Sequence, residues 1–513
     1  MISLSSLLVL LPIAAQLASA TESMKIPDNK NATMNVFQTA QDPPVQQIER
    51  RAAGRVNSAY YVNWAIYAGL GNFKPQDIIT KDLTHLLYAF ADTSASTGAI
   101  SLTDSWADEE IHFDGDSWSD TGKNLYGCLK QMYLIKLANR NIKVMLSVGG
   151  WTYSQNGHFA FVTNAGARTQ FVNSAVQLIE DYGFDGIDLD FEYPKTAEEG
   201  AGFGALFTEL RAALDKLQQS KGDATPYEIS VAVSAGADNY KYLNVNTMDK
   251  ALTYWNLMAY DYSGSWMTTV ANQANLYPDS YNNVSTTAAL DWYKANGATT
   301  SKIVMGVPLY GRAFEETDGL GHTYNGIGPG TNEKGIYSYE VLPLAGATVY
   351  ENSTSVASYS YDSAKREFVS YDTPNIAKAK AQYVASNGLA GTMFWELSTD
   401  KIGGDSLVGM THNVFGSLDG TQNHINYPNS KWDNIKSNMG KGGSGSPGTP
   451  TTTGGGSAPT GGNCAGAAAW SAATAYTGGQ TCTYNGHLWS AKWWTQGDTP
   501  SASSDVWADK GAC

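Results

Sequence analysis

Eight short apolar runs lie between residues 59 and 395, and segments with other patterns separate them. Apolar runs of this length without polar alternation are typical of strands that are buried on both faces of a parallel sheet. The predicted strands cover residues 59–64, 83–90, 143–148, 186–191, 229–234, 255–260, 303–308 and 391–395.

The segments between the runs favour helices. Between the fourth and fifth runs, apolar residues recur at steps of three and four, so that they form one stripe along a helix. The stripe contains Phe203, Leu206, Phe207, Leu210, Leu214 and Leu217. An α/β fold in which strand and helix alternate eight times predicts a (β/α)8 barrel. A doubly wound sheet is the alternative on pattern alone.

One interval does not fit this alternation. Residues at about 313–388 are rich in Gly, Tyr, Ser and Thr and are typical of short strands and turns. Because loops on one face of a barrel tolerate insertions, we expect a small α+β insertion domain before the last strand, where it would deepen a cleft.

The N terminus predicts export. Its apolar segment ends in Ala18-Ser19-Ala20, the small-x-small pattern of a signal-peptidase site. We therefore expect residues 1–20 to be a signal peptide and residues 21–51, which end in Arg50-Arg51, to be a propeptide. No later segment is apolar enough over sufficient length to cross a bilayer. The protein is expected to be secreted and extracellular.

A change in composition marks a second boundary. Residues 440–462 are almost entirely Gly, Ser, Thr and Pro and cannot bury a core, so they predict a flexible linker. The linker separates a large body, residues 52–439, from a small C-terminal module, residues 463–513.

Charge narrows the range of partners. The chain of 513 residues has a formal net charge of −15, which repels polyanions and argues against nucleic acid or an anionic membrane as partner. The 14 Trp and 30 Tyr are compatible with stacking on sugar rings, although most such residues in proteins pack in cores.

The cysteines and histidines indicate no metal framework. Four cysteines allow three connectivities, of which we favour Cys464 with Cys513 because these two bracket the module. Cys128 and Cys482 are then free. The histidines are scattered without a known ligand spacing, so neither a metal nor a cofactor is expected.

The fourth predicted strand carries a row of acids. Side chains alternate along a strand, so Asp188, Asp190 and Glu192 share one face, while Ile187 and Leu189 share the other. Like charges at this spacing cannot all be ionised, and at least one proton should be shared. Glu192 lies at the C-terminal end of its strand, where barrel enzymes carry their chemistry. The row therefore predicts acid–base catalysis.

These acids are similar to a known signature. With Asp185 they form DxxDxDxE, the motif of glycoside hydrolase family 18, the chitinases. Residues 147–151 resemble the SxGG motif of that family, residues 258–262 its MxYD motif, and residues 310–312 and 394–396 its seventh and eighth strands. The resemblance covers most of residues 55–435, and the insertion resembles that of the deep-cleft bacterial and fungal chitinases.

The resemblance implies a retaining mechanism in which the acetamido oxygen of the substrate attacks the anomeric carbon and forms an oxazolinium ion. Glu192 would protonate the leaving oxygen and then activate water. Asp190 would orient the acetamide N–H and raise the pKa of Glu192 by its charge. Asp188 would share a proton with Asp190, and the hydroxyl of Tyr260 would bind the acetamide carbonyl.

The resemblance also implies a set of substrate-binding residues. Asp261 would bind sugar or acetamide, Trp395 would stack beneath the ring in the −1 subsite, and Trp151 would stack at a positive subsite. Arg312 would hydrogen-bond sugar, and Met258 would form part of the cleft wall. Trp64 is a further candidate for substrate binding, with core packing as the alternative.

The C-terminal module resembles carbohydrate-binding family 5/12. Residues 491–500 match its AKWWTxGxxP hallmark. A module of this size cannot bury all five of its tryptophans, so some should face solvent and lie on chitin. We expect Trp493 or Trp494 to do so, with Trp470 or Tyr476 as alternatives.

Together these features predict a secreted, monomeric chitinase that cuts chitin and chitooligosaccharides. An endo-β-N-acetylglucosaminidase acting on N-glycans is an alternative within the same fold, but the module speaks against it. A non-catalytic chitin-binding protein is a second alternative, but relatives of that kind usually lack the acid that Glu192 supplies.

Overall fold

The computed structural model describes residues 54–440 and, in the C-terminal region, residues 467–472, 474–476, 479–492, 495–501, 504 and 506–512. The predicted signal peptide, the propeptide, nearly all of the linker and the favoured pairing of Cys464 with Cys513 lie outside the described residues. The chain divides into two compact units, Met1–Ser444 and Gly445–Cys513.

Eight parallel strands form the centre of the first unit. Each pairs with its neighbour in chain order, and β1 pairs with both β2 and β8, so the sheet closes into a barrel and the doubly wound alternative is wrong. The strands are β1 (Val56–Val62), β2 (His85–Thr93), β3 (Lys143–Gly149), β4 (Gly186–Asp190), β5 (Glu228–Ser234), β6 (Tyr254–Met258), β7 (Ile303–Pro308) and β8 (Gly391–Trp395).

Apolar runs located these strands because almost every residue in them is buried. β7 and β8 have the predicted bounds, and the largest shifts are three residues, at the start of β1, which begins at Val56, and at the end of β2, which ends at Thr93.

Helices connect the strands. The main ones are Gly127–Ala138, Ala165–Tyr182, Ala197–Lys221, Val245–Ala251, Thr286–Ala295, Pro374–Ser386 and Leu407–Phe415, with shorter ones at Trp151–Gln155, Ala237–Tyr240 and Asp433–Lys436. Ala197–Lys221 contains the predicted apolar stripe, which is buried except for the half-buried Leu217. A capping box of Thr196 and Glu199 begins this helix, and Gly222 ends it in the left-handed conformation with φ 68°.

The insertion is a five-stranded antiparallel sheet between β7 and β8. In spatial order its strands are Ile336–Ser338, Tyr310–Phe314, Glu367–Ser370, Ala357–Asp362 and Thr348–Asn352. The sheet therefore begins at Tyr310, and Arg312 lies on its first strand rather than at the end of β7. The helix Pro374–Ser386 follows the sheet and packs against β8 and Leu407–Phe415.

The second unit contains two small antiparallel sheets. One joins Ala475–Tyr476 to Thr495–Gln496, and the other has the order Thr481–Tyr484, His487–Ala491, Trp507–Ala512. This all-β architecture agrees with the predicted module. Within the part of the chain that the structure describes, no helix has the length and apolar character needed to span a membrane.

Candidate active site

A cleft opens at the C-terminal ends of the barrel strands, the end at which β4 presents its acids. Eight of the predicted site residues line it, namely Trp64, Trp151, Asp190, Glu192, Met258, Tyr260, Asp261 and Trp395. Asp188 and Arg312 do not line the cleft but contact groups that surround it. Trp493 and Trp494 lie outside the described residues.

Asp188 is fully buried in the barrel and accepts four hydrogen bonds from neutral donors. Tyr60 and Ser147 donate to Oδ2 at 2.9 and 2.7 Å, and Ser230 and Asn256 donate to Oδ1 at 2.5 and 3.1 Å. Burial raises the pKa of Asp188 above its ordinary value, and these four hydrogen bonds oppose the increase. Both of its oxygens are therefore committed as acceptors.

Asp190 lines the cleft and has the strongest reason in the row to hold a proton. Burial, the charge of Glu192 and the charge of Asp188 all raise its pKa well above the ordinary value. Its Oδ1 atom is buried and has no hydrogen-bond partner among the described residues. Buried acceptors are almost always paired, so this oxygen is suited to accept a hydrogen bond from a ligand in the cleft.

Glu192 lies two residues beyond the end of β4 and is partly exposed to the cleft. Burial raises the pKa of its carboxyl to about 7, a hydrogen bond from Tyr193 to Oε2 at 3.1 Å opposes the rise, and the charge of Asp261 adds to it. Glu192 can therefore retain a proton near neutral pH, as a general acid requires.

Two electrostatic expectations need adjustment. Burial, rather than a neighbouring charge, is the largest cause of the raised pKa of Glu192, and the charge that contributes is that of Asp261. The four donors fill the carboxylate of Asp188, and no hydrogen bond joins it to Asp190 among the described side chains. Proton sharing between these two aspartates stays a prediction.

Asp261 connects the barrel to the insertion. It follows β6 with φ 61°, and its Oδ1 atom accepts hydrogen bonds from Tyr310 at 2.6 Å and from the Nε of Arg312 at 2.5 Å. The guanidinium of Arg312 also lies 4.8 Å from the centroid of the Trp266 ring. Arg312 thus fixes the carboxylate of Asp261 at the edge of the cleft.

Tyr260 packs beside the acids with its hydroxyl directed at the Sδ atom of Met393, 3.7 Å away. Burial is the main cause that raises its pKa well above the ordinary value, so the hydroxyl remains a proton donor. A thioether sulfur is a weak acceptor, which leaves this hydroxyl available to a better acceptor.

Aromatic rings form one side of the cleft. Trp395 is half-buried, stacks on Phe90 at 5.6 Å and meets the edge of Tyr60 at 5.2 Å. Trp64, also half-buried, lies 6.2 Å from Phe90. The partly exposed faces of these rings suit the apolar face of a sugar.

Gly149 and Gly150 let the chain after β3 approach β4 closely. Their φ angles are 115° and 86°, and a Cβ at Gly149 would lie 2.3 Å from the carbonyl oxygen of Asp190. The space that Gly149 provides therefore lies next to Asp190, and a Cβ at Gly150 would lie 2.8 Å from the ring of Phe90.

Asp185, the first acid of the signature, lies at the other end of β4. It accepts hydrogen bonds from the backbone N–H groups of Val144 and His424, both at 2.7 Å, and pairs with Lys136 at 2.9 Å. It holds neighbouring segments together and is remote from the cleft.

Sequence reasoning missed several residues of the site. Tyr60 and Phe90 line the cleft but lie within apolar runs, where an aromatic residue is expected to be core. The donors to Asp188 left a weak signal, because Ser147 and Ser230 are polar residues in otherwise apolar strands. The register places both directly beside Asp188.

The fold and this site define a class: a (β/α)8 hydrolase with a carboxylate row on its fourth strand. The sequence matches the family described as Glycosyl hydrolases family 18 over residues 57–400 and Carbohydrate-binding module family 5/12 over residues 469–508. The chain belongs to glycosyl hydrolase family 18.

Named relatives agree with this assignment. The chain is 45% identical over 396 residues to Chitinase 1 of Aphanocladium album, which covers 76% of this chain and 93% of the relative. It is 45% identical over 394 residues to Endochitinase 1 of Metarhizium robertsii, covering 76% and 92%. The catalytic domain of chitinase B from Arthrobacter TAD20 superimposes with a TM-score of 0.65 at 27% identity, covering 72% of this chain and 97% of that one.

In the C-terminal module, one aromatic residue that was expected to face chitin is buried. Tyr476 is buried with Cys482, Trp489 and Trp507, so its proposed exposure to chitin is wrong. Trp470 is half-buried at the edge of this core and remains a candidate. Cys482 is a free thiol that packs as a small apolar side chain, as does Cys128 in the barrel unit.

Proposed function

We propose that this protein is a secreted chitinase that hydrolyses the β-1,4 links between N-acetylglucosamine residues with retention of configuration. Family membership, the chitinases among its relatives and the chitin-binding module support this activity. No feature of the cleft favours an N-glycan substrate or a non-catalytic role.

The observation that carries the proposal is the pairing of Glu192 with Asp190. The pKa of both carboxyls is raised, that of Glu192 to about 7, so at neutral pH at least one of them carries a proton. The Oδ1 atom of Asp190 has no hydrogen-bond partner among the described residues, so it is suited to accept a hydrogen bond from the N–H of an acetamido group. The site thus offers one proton donor and one acetamide acceptor.

In the proposed reaction Glu192 donates its proton to the glycosidic oxygen as the C1–O bond breaks, while the acetamide oxygen forms a bond to C1. Asp190 accepts a hydrogen bond from the acetamide N–H and stabilises the positive charge of the oxazolinium ion. Tyr260 donates to the acetamide oxygen. Glu192 then takes a proton from water, which attacks C1 from the vacated face and reopens the ring.

Replacement of Glu192 by Gln tests the proposal. We expect Glu192→Gln to lower the release of reducing ends from colloidal chitin by about 10²- to 10⁴-fold, because it removes general acid catalysis, while binding of chitooligosaccharide is retained. The exposed Asn156→Ala variant is the matched control. Wild-type cleavage of fully deacetylated polymer at the same rate as chitin would contradict the role of the acetamido group.

We also propose that the module holds the enzyme on insoluble chitin through a linker that raises the effective concentration of substrate. Removal of residues 440–513 should weaken adsorption to insoluble chitin and leave turnover of soluble chitooligosaccharides unchanged. Equal adsorption of the two forms would contradict this role. We further propose that the catalytic unit acts as a monomer.

A further inference from the structure

Glu192, the proposed general acid, lies beyond the last residue pairs that join β4 to β3 and β5. The last residue pair between β3 and β4 is Gly149 with Asp190, so no strand hydrogen bond reaches Glu192. An acid whose backbone is free to move would not keep its carboxyl at the glycosidic oxygen, and misplacement by about 1 Å can cost about 10²-fold in rate. Something other than the sheet must therefore fix Glu192.

The segment that follows β3 supplies these contacts to three successive residues. The N–H of Gly150 donates to the carbonyl oxygen of Asp190 at 2.8 Å. The ring of Phe159 stacks on Phe191 with centroids 4.5 Å apart and planes inclined by 7°. The next residue is the acid itself, Glu192, and two side chains of the short Trp151–Gln155 helix bind its backbone.

Ser154 and Gln155 are those two side chains. The hydroxyl of Ser154 accepts a hydrogen bond from the N–H of Glu192 at 2.9 Å and donates to the carbonyl oxygen of Asp190 at 3.3 Å. The amide of Gln155 donates to the carbonyl oxygen of Glu192 at 2.5 Å and accepts from Lys195 at 3.4 Å. Both peptide groups of the acid are thus held from one helix.

We infer that Ser154 and Gln155 are positioning residues for the general acid, which act by holding the backbone of Glu192 in the cleft. The inference rests on the proposed function. Neither side chain lines the cleft, and Trp151, at the start of the same helix, does. The helix therefore joins a sugar-stacking residue to the acid that protonates the leaving oxygen.

A positioning role has a signature that a structural role lacks. A sugar leaving group needs a proton from the acid, whereas an activated aryl leaving group departs with little protonation. Displacement of Glu192 should therefore slow cleavage of chitooligosaccharides much more than cleavage of an aryl glycoside of the same sugar. Loss of folded protein would slow both reactions equally.

The test compares kcat on chitotetraose and on a 4-methylumbelliferyl chitobioside for the full-length wild type, Ser154→Ala, Gln155→Met and Asn156→Ala. We expect Ser154→Ala and Gln155→Met to lose about tenfold or more on the tetramer and less than about threefold on the aryl glycoside. Gln155 is exposed, so its variant keeps the test valid if Ser154→Ala folds poorly. Asn156→Ala, one residue further along, should match the wild type.

Equal losses on both substrates, or no loss on either, would overturn the positioning role. Failure of the wild type to cleave either substrate would instead contradict the proposed function. The two failures are therefore distinguishable in one set of assays.

Discussion

The N-terminal end of the barrel pairs its buried acids with cations, whereas the acid row of β4 at the C-terminal end has no lysine or arginine partner among the described residues. Lys136 lies 2.9 Å from Asp185 and Lys143 lies 2.8 Å from Asp419. His85 lies 2.7 Å from Glu228 in the same region. Acids are thus buried at both ends of one barrel, but only those named at the N-terminal end have a cationic partner within the described part of the chain.

The consequence appears in the pKa values. Burial alone would raise the pKa of Asp419, but the charges of Lys143 and His85, together with hydrogen bonds from Lys143 and from the backbone of Thr421, outweigh burial and hold it at about 2. In the acid row of β4 at the other end, burial acts without a lysine or arginine partner from the residues that the structure describes, and the pKa of Glu192 rises to about 7. One end therefore contributes stability, and the other supplies a proton donor.

The largest effect on stability is expected when the lysine partner of a buried acid is replaced. Lys136→Met leaves Asp185 buried without its partner, and we expect the free energy of unfolding in urea to fall by about 3–5 kcal/mol. Asp190→Asn at the opposite end should change it by less than about 1 kcal/mol, because the pKa of that carboxyl is raised well above its ordinary value and an amide resembles its protonated form. Comparable losses in the two variants would mean that the ends do not differ as proposed.

A smaller effect should appear in the dependence of stability on pH. The pKa of Asp419 is about 2 in the folded state, against 3.8 for a free carboxyl. Its contribution, about 2 kcal/mol, is present above pH 3.8 and is lost as the pH falls toward 2. We expect Asp419→Asn to be less stable at pH 6 and to have a weaker decline in stability between pH 4 and 2, measured by urea unfolding at each pH.

The acid row at the C-terminal end of the barrel could be predicted from the sequence, because it follows a local pattern. The ion pairs at the N-terminal end could not, because they join residues that are far apart in the chain. The alternation of Asp188, Asp190 and Glu192 is local and readable. Lys143 and Asp419, in contrast, are 276 positions apart and meet only because the chain after the last barrel helix returns to the start of β3. No periodicity records such a contact.

Arg312 shows a related failure. Its motif places it correctly beside the site, but the element that carries it is the first strand of the insertion sheet and not the end of β7. The break between the two strands falls at Leu309, directly after Pro308, and apolar residues continue on both sides of it. Local pattern therefore locates the residue and not the sheet to which it belongs.

A still smaller effect than that of Asp419→Asn is expected from Tyr60→Phe, which removes one of the four neutral donors to Asp188. Three donors remain, so we expect a loss of about 1 kcal/mol in the free energy of unfolding and a fall in turnover on chitotetraose of less than about tenfold. Each neutral donor stabilises the buried carboxylate of Asp188 by a single hydrogen bond, whereas Lys136 supplies a full opposite charge to the carboxylate of Asp185. A loss as large as that of Lys136→Met would show that the donors to Asp188 hold the barrel together as the cations do, and the contrast between the two ends would no longer hold.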